Sequence, residues 1–485
     1  MQETGRRGNL GESASLKNPM RLMPLLTGLF LTALVAGSTA ATVAAQDRAA
    51  DRRRFLAPTS QTTDDPRRVL IGNAPRGPDG AIVLTGGRVF DGTGAPVREM
   101  TVVIERNKIT RIVSPGIANW PAGARVIDVK GMTVMPGLID LHTHLTDGQI
   151  ATIPHALVDD QADGILRGVE RMRFYVESGI TTTRDVGSLD GIFRLKAWVS
   201  DHRLTGPRIF AAGRLITGPG GHSAEGLGSA PDQGNFRIAS GADDWRKAVR
   251  EQFDKGADFI KVTSHFSREE VTAGIAEAHA LGMKVTCDCE TFYIDWAVDA
   301  GVDMIEHPLP RTDEVIQKMA AKGVASVPTL VPYQYIFDDD GGYFGSTSRR
   351  FTFGKEANLD VLRRLKRAGV TLGVGTDLVT DWYRRLPAPY VTELKNLVSV
   401  GLSISEVLGI ATKTNAILLD MDDKLGTLEP GKLADVLVVR GMPDANLDDL
   451  KRVEWVIRDG EVIVQGGIAV MPRRSQTGAA PAKRY

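Results

Sequence analysis

The chain has 485 residues, 42% of them hydrophobic and 24% charged, the balance of a folded globular protein rather than a disordered or fibrous one. Its 59 basic and 59 acidic residues cancel with no long run of either sign, which excludes the electrostatic footprint of a nucleic-acid or anionic-membrane binder. Length alone allows two or three domains, but an α/β barrel fills about 250 residues as one unit, so the count must come from the pattern.

The N-terminus carries Arg21, an apolar run over residues 22–35 and small residues ending at Ala45. This is the pattern of a secretory signal cleaved after Ala45, with either Met1 or Met20 as the start, and it predicts an exported, periplasmic or secreted protein. The apolar run is shorter than the roughly 20 residues a membrane span needs, so no membrane association is expected once the signal is removed. Residues 46–80, rich in Arg, Asp, Thr and Pro, read as a flexible lead. Short strands follow at 81–84, 88–90, 101–105 and 108–113, with turns at Asp91-Gly92 and Asn107, as in a small antiparallel module.

From Thr133 the rhythm becomes strand, amphipathic helix, strand. Eight strand-like runs occupy 134–142, 181–186, 208–212, 259–263, 284–289, 304–307, 325–330 and 371–376. Helical spacing fills 165–178, 245–255, 268–281 and 314–322 between them, and 389–400 and 403–411 after them. Eight strands alternating with helices predict a (β/α)₈ barrel, with a doubly wound open sheet as the alternative. Strand patterns return at 435–440, 454–458 and 461–465, and these could pair with the N-terminal set into one discontinuous β module. Two connections are long, 214–241 and 331–354, and both are lid candidates or plain surface insertions. Cys287 and Cys289 are the two cysteines; neighbours i and i+2 on a strand lie about 6.5–7 Å apart, so both are expected to be free packing residues.

The chemistry concentrates at strand ends. His142 and His144 close an apolar strand two residues apart, with Asp140 beside them; alternation points both imidazoles to one side, where they can converge on one cation. Lys261 lies inside the apolar run FIKV, where an unpaired lysine is costly, and His307 and Asp377 end two further strands. A barrel would gather these ends at one mouth.

The segments PGLIDLHTH ending at His144, GITTTRD ending at Asp185, GGH ending at His222, GADFIK ending at Lys261, IEH ending at His307, GTD ending at Asp377 and GTLEPGKLAD ending at Asp435 resemble the amidohydrolase superfamily, in particular its imidazolonepropionase-like and Xaa-Pro dipeptidase (prolidase-like) branch. The resemblance runs from about Ile82 to Gln465. It implies a TIM barrel over 133–425 and a discontinuous β-sandwich from 81–132 and 426–470, with a flexible tail at 471–485. It further implies two divalent metal ions, zinc or manganese. His142 and His144 would hold one, an N6-carboxylated Lys261 would bridge, His307 would hold the second, and Asp377 would join the metal site and act as catalytic proton acceptor. His222 would hydrogen-bond substrate or order its loop. At the end of the fifth strand the family has a histidine; here the alignment places Asp288, an acceptable oxygen ligand.

The implied activity is hydrolysis of an amide bond in a small-molecule substrate, a dipeptide such as Xaa-Pro or an N-acyl amino acid, by metal-activated hydroxide. Ring-opening of a cyclic amide and hydrolytic deamination are the alternatives within the superfamily. A small-molecule-binding protein with a degenerate metal site is the alternative of another class, and a homo-oligomer is left open.

Overall fold

In the computed structural model the described residues are 80–117, 119–147, 161–224, 234–338 and 354–471. The expected signal (1–45), nearly all of the lead and the tail, and parts of both long connections (225–233 and 339–353) lie outside them. Among the described residues no helix is long and apolar enough to cross a membrane.

Among the described residues there are eighteen strands: β1 (Ala81–Val89), β2 (Arg98–Glu105), β3 (Lys108–Val113), β4 (Arg125–Asp128), β5 (Met132–Pro136), β6 (Leu138–Thr143), β7 (Ile180–Asp185), β8 (Arg208–Ala211), β9 (Leu215–Thr217), β10 (Phe236–Ile238), β11 (Ile260–Thr263), β12 (Val285–Asp288), β13 (Met304–Glu306), β14 (Ala325–Val327), β15 (Val436–Arg440), β16 (Val453–Arg458), β17 (Glu461–Gln465) and β18 (Ile468–Ala469). Strands from both flanks share one nine-stranded sheet, ordered β18-β17-β16-β15-β5-β1-β2-β3 with β4 on β1. Its seam is the antiparallel pair β15–β5, where Val438 faces Val134 and Leu437 faces Met135. Side chains alternate across a strand. Val134, Val436 and Val438 therefore pack with Ile82, Leu84 and Ile104 in one core, while Met135, Leu437 and Val439 join the larger core around Met172 and Tyr175.

The rest is α/β. Parallel strands form a three-stranded sheet, β6-β7-β8, and a six-stranded sheet, β10-β9-β11-β12-β13-β14. Helices such as Gln161–Glu177, Ala242–Lys255, Arg268–Ala280 and Asp313–Lys322 separate successive strands and bury one stripe each. Their starts follow local chemistry: Ser267 and Glu270 form a capping box, and Thr312 caps the next helix but one. An extended segment reaches both sheets, with Gly373 N donating to Ser326 O (2.8 Å), Leu141 N to Val374 O (2.9 Å) and Asp377 N to His142 O (2.8 Å). At another edge, Asp258 N donates to Ala211 O (2.9 Å), tying the end of β8 to the approach to β11.

Several sequence expectations need correction. The run 134–142 is two strands in two different sheets, broken at Gly137, where a Cβ would collide with the Thr181 side chain. The run 371–376 is extended but carries only the isolated bridge Ser326–Leu372, and 325–330 stops as a strand at Val327 before a helix at Leu330–Asp338. The connection 214–241 is not loop throughout, because β9 and β10 join the parallel sheet. The N-terminal module is not purely antiparallel, since β1 pairs parallel with β4 and β5. The Cα atoms of Cys287 and Cys289 stand 5.3 Å apart, closer than expected for neighbours i and i+2 on a strand, because β12 ends at Asp288 between them. Both are buried in the larger core, as packing residues would be.

Candidate metal centre

All six residues of β6 are buried, so its period-two pattern is hidden under neighbours on both sides. His142 lies in the strand and His144 one residue past its end, with ring centroids 5.3 Å apart. Asp377 meets both: its Oδ1 is 3.5 Å from His142 Nε2 and 3.2 Å from His144 Nε2. Among the described residues, His142, His144 and Asp377 are the one group of three potential metal ligands whose ligand atoms all lie within 4.8 Å of one another.

The outward nitrogens are already committed. His142 Nδ1 is 2.7 Å from Glu306 Oε2, and His144 Nδ1 is 2.6 Å from Gly187 O. Each Nδ1–H donates outward, which leaves the Nε2 lone pair turned inward, the tautomer a metal requires. His142 Nε2 is buried and makes no hydrogen bond. An orphaned acceptor beside carboxylates, with burial pushing the His142 imidazolium well below its ordinary range, fits a bound cation. Burial works to raise the Asp377 carboxyl, but His142, His144 and His307 outweigh it and hold it well below the usual carboxylate range. It is therefore ionised.

Asp288 is the hub of an adjoining group. Its Oδ2 lies 3.1 Å from His307 Nε2, 3.3 Å from Lys261 Nζ and 3.4 Å from His222 Nε2. Lys261 is 1% exposed in the middle of β11. His307 Nδ1 is 2.7 Å from Thr329 Oγ1 and 3.9 Å from Asp377 Oδ2, and its ring stands 4.8 Å from that of His142, so the two groups touch. The seven residues singled out in the sequence thus come together. Imidazoles and carboxylates are a donor set suited to a divalent metal such as zinc or manganese.

Two strained residues mark the rim. His307 (φ 65°) and Asp377 (φ 48°) adopt the left-handed conformation that costs a non-glycine residue about 1–3 kcal/mol. Beneath them lies a layer with no role assigned by sequence. Glu306 also accepts hydrogen bonds from Arg184 and Thr286, and Arg184 Nε donates to Leu141 O at 2.6 Å. Asp140 accepts from His142 N (3.1 Å), Thr376 N (2.9 Å) and Thr376 Oγ1 (2.6 Å), while burial pushes its carboxyl up to about 7. Arg184 and Glu306 fall inside two of the quoted motifs. Their signal was a charge at an apolar strand position.

Residues 133–463 match the amidohydrolase family. The chain is similar to a prolidase solved in complex with N-methylphosphonate-L-proline: 28% identity, 79% of this chain and 100% of that one covered, TM-score 0.73. It is also similar to the ochratoxinase of Aspergillus niger, 25% identical over 406 residues that cover 76% of this chain and 82% of the relative. The imidazolonepropionase of Symbiobacterium thermophilum is 24% identical over 437 residues, covering 80% and 91%. With a family match spanning well over half its length and hydrolases of matching fold beside it, the chain belongs to the amidohydrolase family and is a hydrolase acting on carbon–nitrogen bonds.

Proposed function

We propose that the protein is an exported, metal-dependent amidohydrolase that cleaves the amide bond of a dipeptide such as Xaa-Pro, or of an N-acyl amino acid. The observation that carries this reading is the inward-turned, orphaned Nε2 of His142 amid His144, Asp377 and His307. In this reading the two parallel sheets close into one (β/α)₈ barrel through the segment before Asp377, and the site occupies its C-terminal mouth. His142 and His144 would hold one divalent ion, and Asp288 and His307 a second. Lys261, once carboxylated on its amine, would add an anionic oxygen donor, since an ammonium has no lone pair to offer.

When bound, such ions supply positive charge beside the scissile carbonyl and make a water molecule acidic at neutral pH. Asp377, ionised and within reach of both inner imidazoles, accepts the proton of the attacking water and passes it to the departing amine nitrogen. Glu306 and Arg184 fix the orientation of His142.

The prolidase of similar fold binds a proline phosphonate, which favours dipeptides, whereas the likeness to an imidazolonepropionase supports cyclic-amide ring-opening as a second reading. A panel of Xaa-Pro dipeptides, N-acyl amino acids and cyclic amides, run with metal analysis, separates them. Turnover of the first two classes that disappears on chelation is expected; turnover of cyclic amides alone would select the second reading.

A further inference from the structure

Thr329 immediately precedes the helix Leu330–Asp338, the place from which a threonine ordinarily turns its hydroxyl onto the first open amides of its own helix. Here its φ is 44°, in the left-handed region, and its Oγ1 lies 2.7 Å from His307 Nδ1 instead. The cap comes from another helix. Glu393 of the helix Ala388–Ser399 is 1% exposed, and its two carboxylate oxygens accept from Leu330 N and Val331 N, each at 2.9 Å. We infer that Glu393 is a positioning residue for the candidate metal centre: by capping in place of Thr329, it releases the threonine hydroxyl to fix the His307 ring with Nε2 toward Asp288. The inference rests on the metal-dependent reading above, in which His307 holds the second ion, and it gives a task to a residue outside every motif of the family resemblance.

The backbone of His307 is held without Glu393. Its N donates to Val327 O at 2.9 Å, and its O accepts from Arg311 Nη2 at 2.7 Å. Those bonds leave the imidazole free to turn about its side-chain torsions. Thr329 removes that freedom. A ring that donates Nδ1–H to the hydroxyl has its Nε2 lone pair on the opposite side, where Asp288 Oδ2 lies 3.1 Å away. Thr329 and Glu393 are both buried, so bulk water cannot stand in for either contact.

The same two helices are tied again one turn on, where Gln334 Nε2 donates to Asn396 Oδ1 at 3.1 Å. Between the two ties Tyr333 sets its ring edge-on to that of His307, with 5.7 Å between centroids. The helix Leu330–Asp338 therefore meets His307 with the hydroxyl before its first residue and with an aromatic ring in its first turn, and Glu393 sets where that helix begins. A glutamine at 393 would keep one acceptor and turn an amide NH₂ toward the other backbone N–H, donor against donor. The amide left open is adjoined by the Thr329 hydroxyl, and a threonine that returns to capping leaves His307.

The test is a cobalt(II) titration of the metal-stripped full chain, read by elemental analysis and by the visible absorption of the bound ion, with the second ion identified as the step that His307→Ala lacks. Glu393→Gln should weaken that step about 10–100-fold and leave the first unchanged. Thr329→Val should do the same, while Thr329→Ser, which keeps the hydroxyl, should behave as the native chain. Glu393→Gln/Thr329→Val should be no weaker than Thr329→Val alone, because both changes act through one contact. Native affinity for the second ion in folded Glu393→Gln would overturn the inference, as would equal weakening of both steps, a double variant whose losses multiply, or Thr329→Val and Thr329→Ser that bind alike. Should Glu393→Gln not fold, Glu393→Asp, a methylene shorter, is read by the same criteria. His307→Ala that keeps both steps would also overturn it, whereas a native chain that takes up no divalent ion would remove the metal-dependent reading itself, and the inference with it.

Discussion

The two halves of the site solve one problem by different means. Around His142 and His144 the candidate ligand atoms come from a buried strand and the residue just past it, and their outer nitrogens are locked by Glu306 and by Gly187 O. Around Asp288 the hub is a carboxylate at a strand end, His307 stands in a strained conformation, and the third nitrogen belongs to a glycine-rich connection. Groups on regular structure with buried supports are pre-organised, while a set that leans on a connecting segment is less so. The first half should therefore hold its ion more tightly, and the second should exchange.

The largest effects come from removing what the tight half cannot replace. His142→Ala, and equally Lys261→Ala as the link between halves, should strip most bound metal and reduce turnover to background while circular dichroism still reports a folded chain; full metal content in either variant would refute its assignment as a ligand. Asp377→Asn should retain metal yet lower kcat by about 10²–10⁴-fold, because the amide cannot take the proton. A kcat within a few-fold of the parent would place the proton acceptor elsewhere.

Glu306→Gln sharpens the contrast further. It leaves Arg184 facing a neutral amide, and breaking a buried pair costs about 3–5 kcal/mol. The melting temperature should fall, and affinity at the first ion should drop about 10–100-fold while the second is little changed. Equal weakening of both ions would mean that the halves are not separately supported.

The smallest effect lies outside both halves. His202 sits between Asp459 and Glu461, 3.0 Å from each, where burial lowers its pKa but the two hydrogen-bonded carboxylates outweigh that and raise it. A raised folded-state pKa gives stability that is complete below the unfolded value near 6.5 and is lost as pH rises through the folded one. Against His202→Gln, the native melting advantage should shrink as pH rises above the unfolded value near 6.5, with no change in bound metal. An advantage that grows with pH would reverse the assignment.

Much of this was legible before any coordinates. The histidine pair on an apolar strand, the lysine inside another and the aspartate ending an extended run each violate the burial pattern around them, and that violation is the signal. What stayed hidden depended on long-range contacts. β9 and β10 are three residues each inside a glycine-rich stretch, too short for a period-two pattern to stand out. Gly137 reads as part of an unbroken apolar run until Thr181 is packed against it. Glu306 could not be separated from His307 as a ligand or a support without knowing that Arg184 and His142 approach it from two other strands. The close approach of Cys287 and Cys289 depends on where β12 stops, and strand ends are the least readable feature of a sequence.

The claim of a tight half and an exchangeable half is tested most directly by counting ions in Asp288→Ala after dialysis against a weak chelator, beside the parent treated alike. The account predicts that the parent retains one ion after dialysis and regains the second on adding zinc or manganese, while Asp288→Ala retains the first and cannot be reloaded beyond it. Two ions per chain in Asp288→Ala, held as tightly as in the parent, would contradict it.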